Sequence, residues 1–220
     1  MKKIGLIHTS ATLVPVFQQL VKDKNVQAEF FNIVDDSLIK DVIDKGHLAE
    51  NTAQRVMNYV QSAEQAGADL IMVTCSSIGR AVERAAAQAT VPVLRVDQPM
   101  ADEAVAAGTR IGVVATLPTT LEPTADLVER RAAKAGKKVE LLSRLCEGAF
   151  DALMGGNPAK HDEMVKQALR ELSDQVDVIL LAQASMARVV DQMPAEEKKV
   201  PIFSSPGIAV DHLAELAIKS

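Results

Sequence analysis

Cys75 is the residue of this chain whose type and position point most directly to chemistry. In the stretch "VTCSSIG" it follows the apolar run Asp69-Leu70-Ile71-Met72, where a buried strand is predicted to end and a helix to begin. Free amides and the dipole at a helix N-terminus lower the pKa of a thiol and favour the reactive thiolate. The alternative is an inert buried cysteine, which is common among free cysteines. The position favours a chemical role.

Two loops rich in hydroxyl groups precede predicted helices. One is Thr116-Leu117-Pro118-Thr119-Thr120, with Pro123 expected in the first helical turn, and the other is Thr9-Ser10-Ala11-Thr12. Such residues cap helices, which is the simpler explanation for each of them taken alone. Helix N-termini also attract carboxylates and phosphates. Anion binding therefore stands beside capping as a hypothesis for the pair.

No motif for a cofactor or a metal is present in the sequence. Neither G-x-G-x-x-G nor G-x-x-x-x-G-K-[ST] occurs, the four histidines are scattered, and neither cysteine has a partner at zinc spacing. We therefore expect no cofactor and no metal. His8, at the end of the first predicted strand, is the only titratable group expected near the loops, although a packing role explains it equally well.

Short aliphatic runs alternate with helical patterns along the whole chain, which predicts parallel βαβ units of an α/β fold. The predicted strands are Lys3–His8, Ala28–Ile33, Leu70–Thr74, Val91–Val96, Arg110–Ala115, Lys138–Leu142, Val178–Ala182 and Pro201–Phe203. The predicted helices include Glu50–Ala66, Ser77–Gln88, Leu121–Ala135 and Ala159–Ser173.

The chain also repeats itself. "KKIGLIHTS" resembles "TRIGVVATL", "ADLIMVTCSSIG" resembles "VDVILLAQASMA", and "VPVLRVDQPMADEAV" resembles "VPIFSSPGIAVDHLA", at separations of 107, 108 and 109 positions. Three ordered matches predict two similar halves, each with about four parallel strands. We assign residues 1–98 with the C-terminal helix 207–220 to the first half and 99–206 to the second, joined near Gln98–Thr109.

Ligands of open parallel sheets bind at the carboxyl ends of the strands. Two facing halves would bring both sets of strand ends to one cleft, formed by four loops. Those loops are His8–Thr12, Thr74–Gly79, Thr116–Thr120 and Gln183–Met186.

Composition limits the class of partner. The formal net charge of −5 and the five Phe, one Tyr and no Trp leave neither a basic nor an aromatic surface for nucleic acid. Two cysteines do not make a disulfide framework, and Cys146, in "RLCEGAFDALM", is predicted on the apolar stripe of a short helix. Without a signal-peptide pattern or an apolar run long enough for a membrane span, we expect a soluble, cytoplasmic protein.

These motifs resemble the aspartate/glutamate/hydantoin racemase superfamily. The residues that carry the resemblance are "VTCSSIG", "DVILLAQASM" and "RIGVVATLPTT", in that order, together with the repeat, and they cover essentially the whole chain. The resemblance implies two pseudo-symmetric α/β halves, a cleft, no cofactor and a homodimer. It also implies two cysteines on opposite faces of a small carboxylate or hydantoin, one removing a proton beside a carbonyl and the other returning one. Related members with one cysteine protonate an enolate after decarboxylation, and others isomerise an unsaturated diacid.

Carried over position by position, Cys75 matches the first catalytic cysteine. Ser76 and Ser77 match its substrate-binding loop, and Thr116, Thr119 and Thr120 match the opposing loop for the substrate carboxylate; His8, Thr9 and Ser10 are further candidates to bind substrate. The second cysteine falls at Gln183, and the repeat agrees, since Cys75 and Gln183 are 108 positions apart.

Glutamine does not ionise, so Gln183 can donate and accept hydrogen bonds but cannot act as an acid or a base. With the amides near Ala184 and Ser185 it is expected to stabilise enolate oxygens. The sequence therefore predicts an enzyme that acts beside the carboxylate of a small acid through Cys75. The alternatives are a one-cysteine decarboxylase of a malonate-like acid and a non-catalytic carboxylate-binding protein; a redox-sensing thiol ranks below both.

Overall fold

The fold contains two four-stranded parallel β-sheets with helices packed on them. It is known from a computed structural model, which describes residues 1–218. The strands are β1 (Lys3–His8), β2 (Glu29–Val34), β3 (Leu70–Val73), β4 (Val93–Arg95), β5 (Arg110–Ala115), β6 (Glu140–Leu145), β7 (Val178–Leu181) and β8 (Ile202–Ser204).

The α-helices are α1 (Leu13–Asp23), α2 (Ser37–Lys45), α3 (Glu50–Gln65), α4 (Gly79–Ala86), α5 (Gln98–Ala107), α6 (Pro118–Lys134), α7 (Ala149–Met154), α8 (Pro158–Ser173), α9 (Ala187–Asp191) and α10 (Ser205–Ile218). Short 3₁₀ turns occupy Ser76–Ile78, Ala184–Met186 and Ala195–Glu197. Among the helices of residues 1–218, none has the length and apolar character that a membrane crossing requires.

The two sheets have the same topology. Their strand orders are β2-β1-β3-β4 and β6-β5-β7-β8, with every neighbouring pair parallel. Every residue of β3 and β7 is buried, as expected for strands covered on both faces, which is why they read as unbroken aliphatic runs. The predicted α/β class with two similar halves is confirmed.

The segment near which the halves are joined is helical. Gln98–Ala107 form helix α5, and the two units divide between Gln98 and Pro99. Its alanine-rich sequence favours helix, and Pro99 lies in the first turn, where no intrahelical N–H bond is lost.

The chain forms two compact units, one of residues 1–98 with 206–218 and one of residues 99–205. In the first unit, Ala209, Val210 and Leu213 of α10 are buried in one apolar cluster with Ile4 and Phe17. The C-terminal helix thus completes the core of the unit that begins the chain.

Equivalent ion pairs hold α5 and α10 within their own units. In the second unit, the Arg131 guanidinium contacts the Asp102 carboxylate at 2.5 and 2.7 Å. In the first, the Lys24 ammonium lies 2.5 Å from the Asp211 carboxylate. Asp102 and Asp211 are 109 positions apart and occupy equivalent places in the repeat. The two halves therefore share this ion pair as well as the order of their helices and strands.

A carboxylate anchors the start of the first strand in each unit. Asp177 accepts hydrogen bonds from the backbone amides of Thr109 and Arg110 at 3.0 and 2.9 Å, and it also binds the Arg110 guanidinium. The equivalent Asp69 accepts from the Lys3 amide at 2.7 Å. Hydrogen bonds from the Arg110 amide and side chain, followed by the Thr109 amide, hold the pKa of Asp177 well below its ordinary value.

A buried ion cluster lies beneath the loop that follows β3. The Arg95 guanidinium binds Asp97 through two hydrogen bonds of 2.9 and 2.7 Å and Glu83 through a third of 2.5 Å. The side chains of Arg95 and Asp97 are 3% and 1% exposed. A Cβ added to Gly79 would lie 2.1 Å from Arg95 Cζ, so only glycine leaves room for the guanidinium.

Replacing Gly79 by alanine is therefore expected to displace Arg95 from Asp97 and to lower the free energy of unfolding by about 2–4 kcal/mol, because breaking a buried ion pair leaves uncompensated charge. Urea denaturation of wild type and Gly79→Ala measures this loss. Gly207→Ala in α10 is the matched control, since an added Cβ there meets nothing within 4 Å. Equal stability of the two variants would contradict the role of Gly79.

Asp177→Asn is expected to destabilise the protein at pH 7 and to matter progressively less in acid. The folded-state pKa of Asp177 is depressed, so its carboxylate stabilises the fold above the ordinary value of about 4, and the contribution is lost as the pH falls below it. Urea denaturation of both proteins between pH 7 and pH 2 should show the difference shrinking. Asp174→Asn, which removes an exposed partner of Lys199, should change little at either pH. A constant difference across the range would contradict the assignment.

Candidate active site

Cys75 lies at the carboxyl edge of the first sheet, beside the point where the strand order reverses. β1 pairs with β2 on one side and with β3 on the other, so the loops that leave β1 and β3 diverge there. This is the switch point at which open parallel sheets bind ligands. Cys75 has extended backbone angles and precedes the 3₁₀ turn Ser76–Ile78, which leads directly into α4.

Donor groups near Cys75 lower the pKa of its thiol, but the net shift is in the direction opposite to the prediction. Burial raises the pKa of the thiol, against the lowering effect of the Thr9 hydroxyl and the amides of Ser77 and Ile78; the charge of Asp97 raises it further. The expected helix-end amides are thus present, but loss of hydration outweighs them. Cys75 as a whole residue is partly exposed.

His8 is fully buried, and protein groups occupy both of its ring nitrogens. Nδ1 lies 2.8 Å from Thr74 Oγ1 and Nε2 lies 2.9 Å from Asn32 Oδ1. Burial lowers the pKa of His8 despite the opposing bond to Asn32, which favours the neutral ring. These contacts tie β1 to β2 and to the residue before Cys75, so the structure supports a packing role for His8 rather than an acid or a base.

In the second unit, Gln183 takes the position that Cys75 has in the first. It has the same extended backbone and precedes the 3₁₀ turn Ala184–Met186, at the edge where β5 lies between β6 and β7. Its Oε1 accepts hydrogen bonds from the Thr116 amide at 2.6 Å and from the Thr116 hydroxyl at 3.0 Å. Thr116 is the repeat equivalent of Thr9, which in the first unit lowers the pKa of the Cys75 thiol.

The loop before α6 has a different local structure from the one predicted. Its N-cap is Leu117, whose side chain cannot cap, and Pro118 is the first helical residue, so Thr119 and Thr120 belong to the first turn. Pro123, expected in the first turn, lies inside the helix. The Thr119 hydroxyl is buried and has no hydrogen-bond partner among the described residues. Capping by these hydroxyls, the simpler alternative, therefore does not occur.

The remaining candidates lie in the same loops. Ser76 and Ser77 are buried in the turn after Cys75, whereas Ala184 is partly buried and Ser185 is exposed. Ser10 Oγ lies 2.8 Å from Thr12 Oγ1 and is partly buried. Each unit thus gathers its own candidates at one sheet edge, and the predicted cleft that would join the two sets stays a prediction.

Cys146 is buried, as predicted for a core residue, but it lies before α7 rather than on it. Its Sγ lies 3.8 Å from the Met164 carbonyl oxygen. Burial raises the pKa of this thiol to about 11; the charge of Arg144 lowers the pKa and the charge of Glu171 raises it. Cys146 is therefore a natural internal control for Cys75.

Sequence reasoning missed Arg95 and Asp97. Both stand in "VPVLRVDQPM", a segment that carried the repeat, but their equivalents in the second half are Ser204 and Pro206. The sequence did contain a signal for this pair: the two charged residues occur in one half and have no charged counterpart in the other. The charge of Asp97 adds to the effect of burial in raising the pKa of the Cys75 thiol, and burial is the larger cause.

Comparison with known proteins agrees with the fold. The chain matches the profile of the Asp/Glu/Hydantoin racemase family over residues 4–213. No curated protein matches it significantly. A structure assigned as an Asp/Glu racemase from Yersinia pestis is 19% identical, with a TM-score of 0.77 and all of both chains covered.

Two further structures are similar in fold. An aspartate racemase homologue from Pyrococcus horikoshii is 18% identical, has a TM-score of 0.72 and covers 99% of each chain. Allantoin racemase from Klebsiella pneumoniae is 18% identical, has a TM-score of 0.66 and covers 98% of this chain and 87% of its own. With the family profile matched over nearly the whole length, the prediction of a racemase-like isomerase is confirmed at the level of the family: the chain belongs to the Asp/Glu/Hydantoin racemase family.

Proposed function

We propose that the protein is a cofactor-independent enzyme that acts at the carbon beside a carboxylate of a small acid, and that Cys75 moves the proton. The observation that supports this most is the placement of Cys75, a partly exposed residue between β3 and the turn that leads into α4, where the Thr9 hydroxyl and the amides of Ser77 and Ile78 lower the pKa of its thiol. Donors of this kind stabilise a thiolate at the moment it forms.

The first turn of α6 suits a substrate carboxylate. Helix N-termini carry free amides and a partial positive charge, and the unpartnered Thr119 hydroxyl adds a donor. We assign carboxylate binding to Thr116, Thr119 and Thr120. Racemases of aspartate and of allantoin appear among the structural relatives, and a small acid or a cyclic ureide matches those names.

Gln183 favours a second candidate, a decarboxylase. Symmetric racemisation needs a proton carrier at both positions, and the amide of Gln183 is not one. In decarboxylation of a malonate-like acid, the carbon–carbon bond to one carboxylate breaks, CO₂ leaves, and the electron pair remains on the enolate. One proton from the Cys75 thiol then goes to carbon, and the resulting thiolate regains a proton from water. A single thiol suffices for this reaction, and the Gln183 amide nitrogen is available to bind enolate oxygen.

The proposed enzyme is a cytoplasmic homodimer that uses no cofactor, as the sequence predicts.

Loss of the Cys75 thiol is expected to abolish the chemistry. Cys75→Ser should lower proton exchange at carbon, or turnover, by at least about 100-fold, because a serine hydroxyl is a far weaker acid and its anion is not accessible at neutral pH. The measurement is NMR in heavy water with aspartate, glutamate, hydantoins, malonates and maleate. Cys146→Ala is the matched control and should retain activity. If no member of the panel reacts with the wild type but these acids still bind, the protein is a carboxylate-binding protein instead.

Gln183→Cys should restore a second proton carrier. On a chiral substrate that exchanges its proton in the wild type, this variant is expected to raise the rate of racemisation at least about tenfold, because both positions can then exchange a proton. Chiral chromatography of the product measures it. Gln183→Ser, which removes the amide without adding an ionisable group, should give no gain. Equal racemisation by the wild type and Gln183→Cys would show that another group already serves this position.

A further inference from the structure

The hydrogen bonds from Thr116 fix which way the side-chain amide of Gln183 faces. A backbone N–H can only donate, and the Thr116 amide lies 2.6 Å from one terminal atom of Gln183, so that atom must be the oxygen. The Thr116 hydroxyl lies 3.0 Å from the same oxygen and donates to it as well. In the reversed orientation two N–H groups would face each other, so the amide has one orientation.

The amide nitrogen of Gln183 is therefore directed away from Thr116, and it carries two N–H groups. Within residues 1–218 no hydrogen bond joins this nitrogen to the chain, and Gln183 is only partly buried. An amide nitrogen donates hydrogen bonds and does not accept them. A ligand at this edge of the sheet meets a donor whose orientation is set before the ligand binds.

Thr119 adds further donors at the same edge of the second sheet. Its amide lies in the first turn of α6, where N–H groups have no partner within the helix, and its buried hydroxyl has none among the described residues. Thr116 and Thr119 follow β5, and Gln183 follows β7, which pairs with β5. The loops after two neighbouring strands thus both present hydrogen-bond donors.

Neither of these loops supplies a negative charge. Thr116–Thr120 and Gln183–Met186 contain no aspartate or glutamate. Glu147, which follows β6, is exposed to solvent, and Asp162 on α8 already binds the Arg188 guanidinium at 2.6 Å. An ammonium group placed against the Gln183 amide would meet N–H groups and no counter-ion in either loop.

We propose that Gln183, oriented by Thr116, selects an oxygen acceptor on the reacting carbon and rejects an ammonium group there, so that the substrate is a diacid or a hydroxy acid without an α-amino group. This rests on the proposed function, in which Thr116, Thr119 and Thr120 bind the carboxylate and Gln183 takes the place of a second proton carrier at the neighbouring carbon. A hydroxyl or enolate oxygen on that carbon accepts from the Gln183 amide. An ammonium has three donors and no acceptor, so it leaves the amide N–H groups unpaired.

Three four-carbon diacids that differ in one substituent test the inference by binding alone. Succinate carries a hydrogen, malate a hydroxyl and aspartate an ammonium on the same chain. Isothermal titration calorimetry of the wild type at neutral pH should show malate and succinate binding at least about tenfold more tightly than aspartate, because aspartate leaves desolvated donors without a partner. Aspartate binding as tightly as malate would overturn the inference, and so would failure of all three acids to bind.

Gln183→Glu replaces the donor by a charged acceptor of the same shape, while its other oxygen still accepts from Thr116. The affinity for aspartate relative to malate should rise at least about tenfold, because the ammonium then gains a counter-ion. Gln192→Glu is the matched control, since it adds the same charge at the exposed end of α9 and should leave the ratio unchanged. An equal change in both variants would mean that net charge, and not the Gln183 amide, sets the preference.

Gln183→Met removes the donor without adding charge and decides the matter if Gln183→Glu does not fold. It should weaken malate binding and bring the malate and aspartate affinities closer together, and an unchanged ratio would overturn the inference. These titrations need no turnover. If Cys75→Ser leaves proton exchange intact, the proposed function fails while the order of affinities still stands; if exchange depends on Cys75 but aspartate binds best, only the substrate class is wrong.

Discussion

The pairing of the first strand of each half with its third is the constraint on which the candidate site depends. In the order β2-β1-β3-β4, the chain leaves β1 and β3 in different directions at a shared carboxyl edge, and the same holds for β5 and β7. Hydrogen bonds between strands fix which residues meet there. Thr9 meets Cys75 in one half and Thr116 meets Gln183 in the other. The backbone thus determines where side chains meet, while the residue types determine the chemistry.

The two halves have the same backbone structure but carry a thiol in one and an amide in the other at the equivalent position. The equivalent threonine acts on the equivalent residue in both halves: the Thr9 hydroxyl lowers the pKa of the Cys75 thiol, and the Thr116 hydroxyl donates to the Gln183 amide oxygen. The asymmetry extends beyond this pair, because the charged residues Arg95 and Asp97 correspond to Ser204 and Pro206. The first half therefore has an ionisable thiol, Cys75, at this position. The second half has a neutral amide, Gln183, that accepts hydrogen bonds from Thr116. A two-thiol, symmetric reaction needs equivalent halves, which this chain does not have.

Much of the fold could be predicted because it depends on local patterns. Unbroken aliphatic runs identified β3 and β7, and β1 and β5 agree with the predicted bounds at both ends. The helix α5 was not assigned from the sequence, which placed only the join of the two halves near its residues. The sequence predicted where Cys75 lies but not how its thiol ionises. A helix start after β3 implies free amides near Cys75, whereas the burial of Cys75 depends on residues distant in sequence. The burial of Asp97 was not predicted for the same reason, because it depends on how Arg95 packs between Asp97 and Glu83.

Burial and the amide donors act on the pKa of Cys75 in opposite directions, and their balance sets how much of the thiol is ionised. A thiol with a raised pKa is almost entirely protonated at neutral pH, so it is ready to donate. The raised pKa also makes the thiolate, once it forms, a stronger base. The Thr9 hydroxyl and the amides of Ser77 and Ile78 lower its energy. A substrate that displaces the remaining water around Cys75 would raise the cost of the thiolate further. Burial therefore favours the neutral thiol in the resting protein, and the donors around the sulfur limit that preference without reversing it.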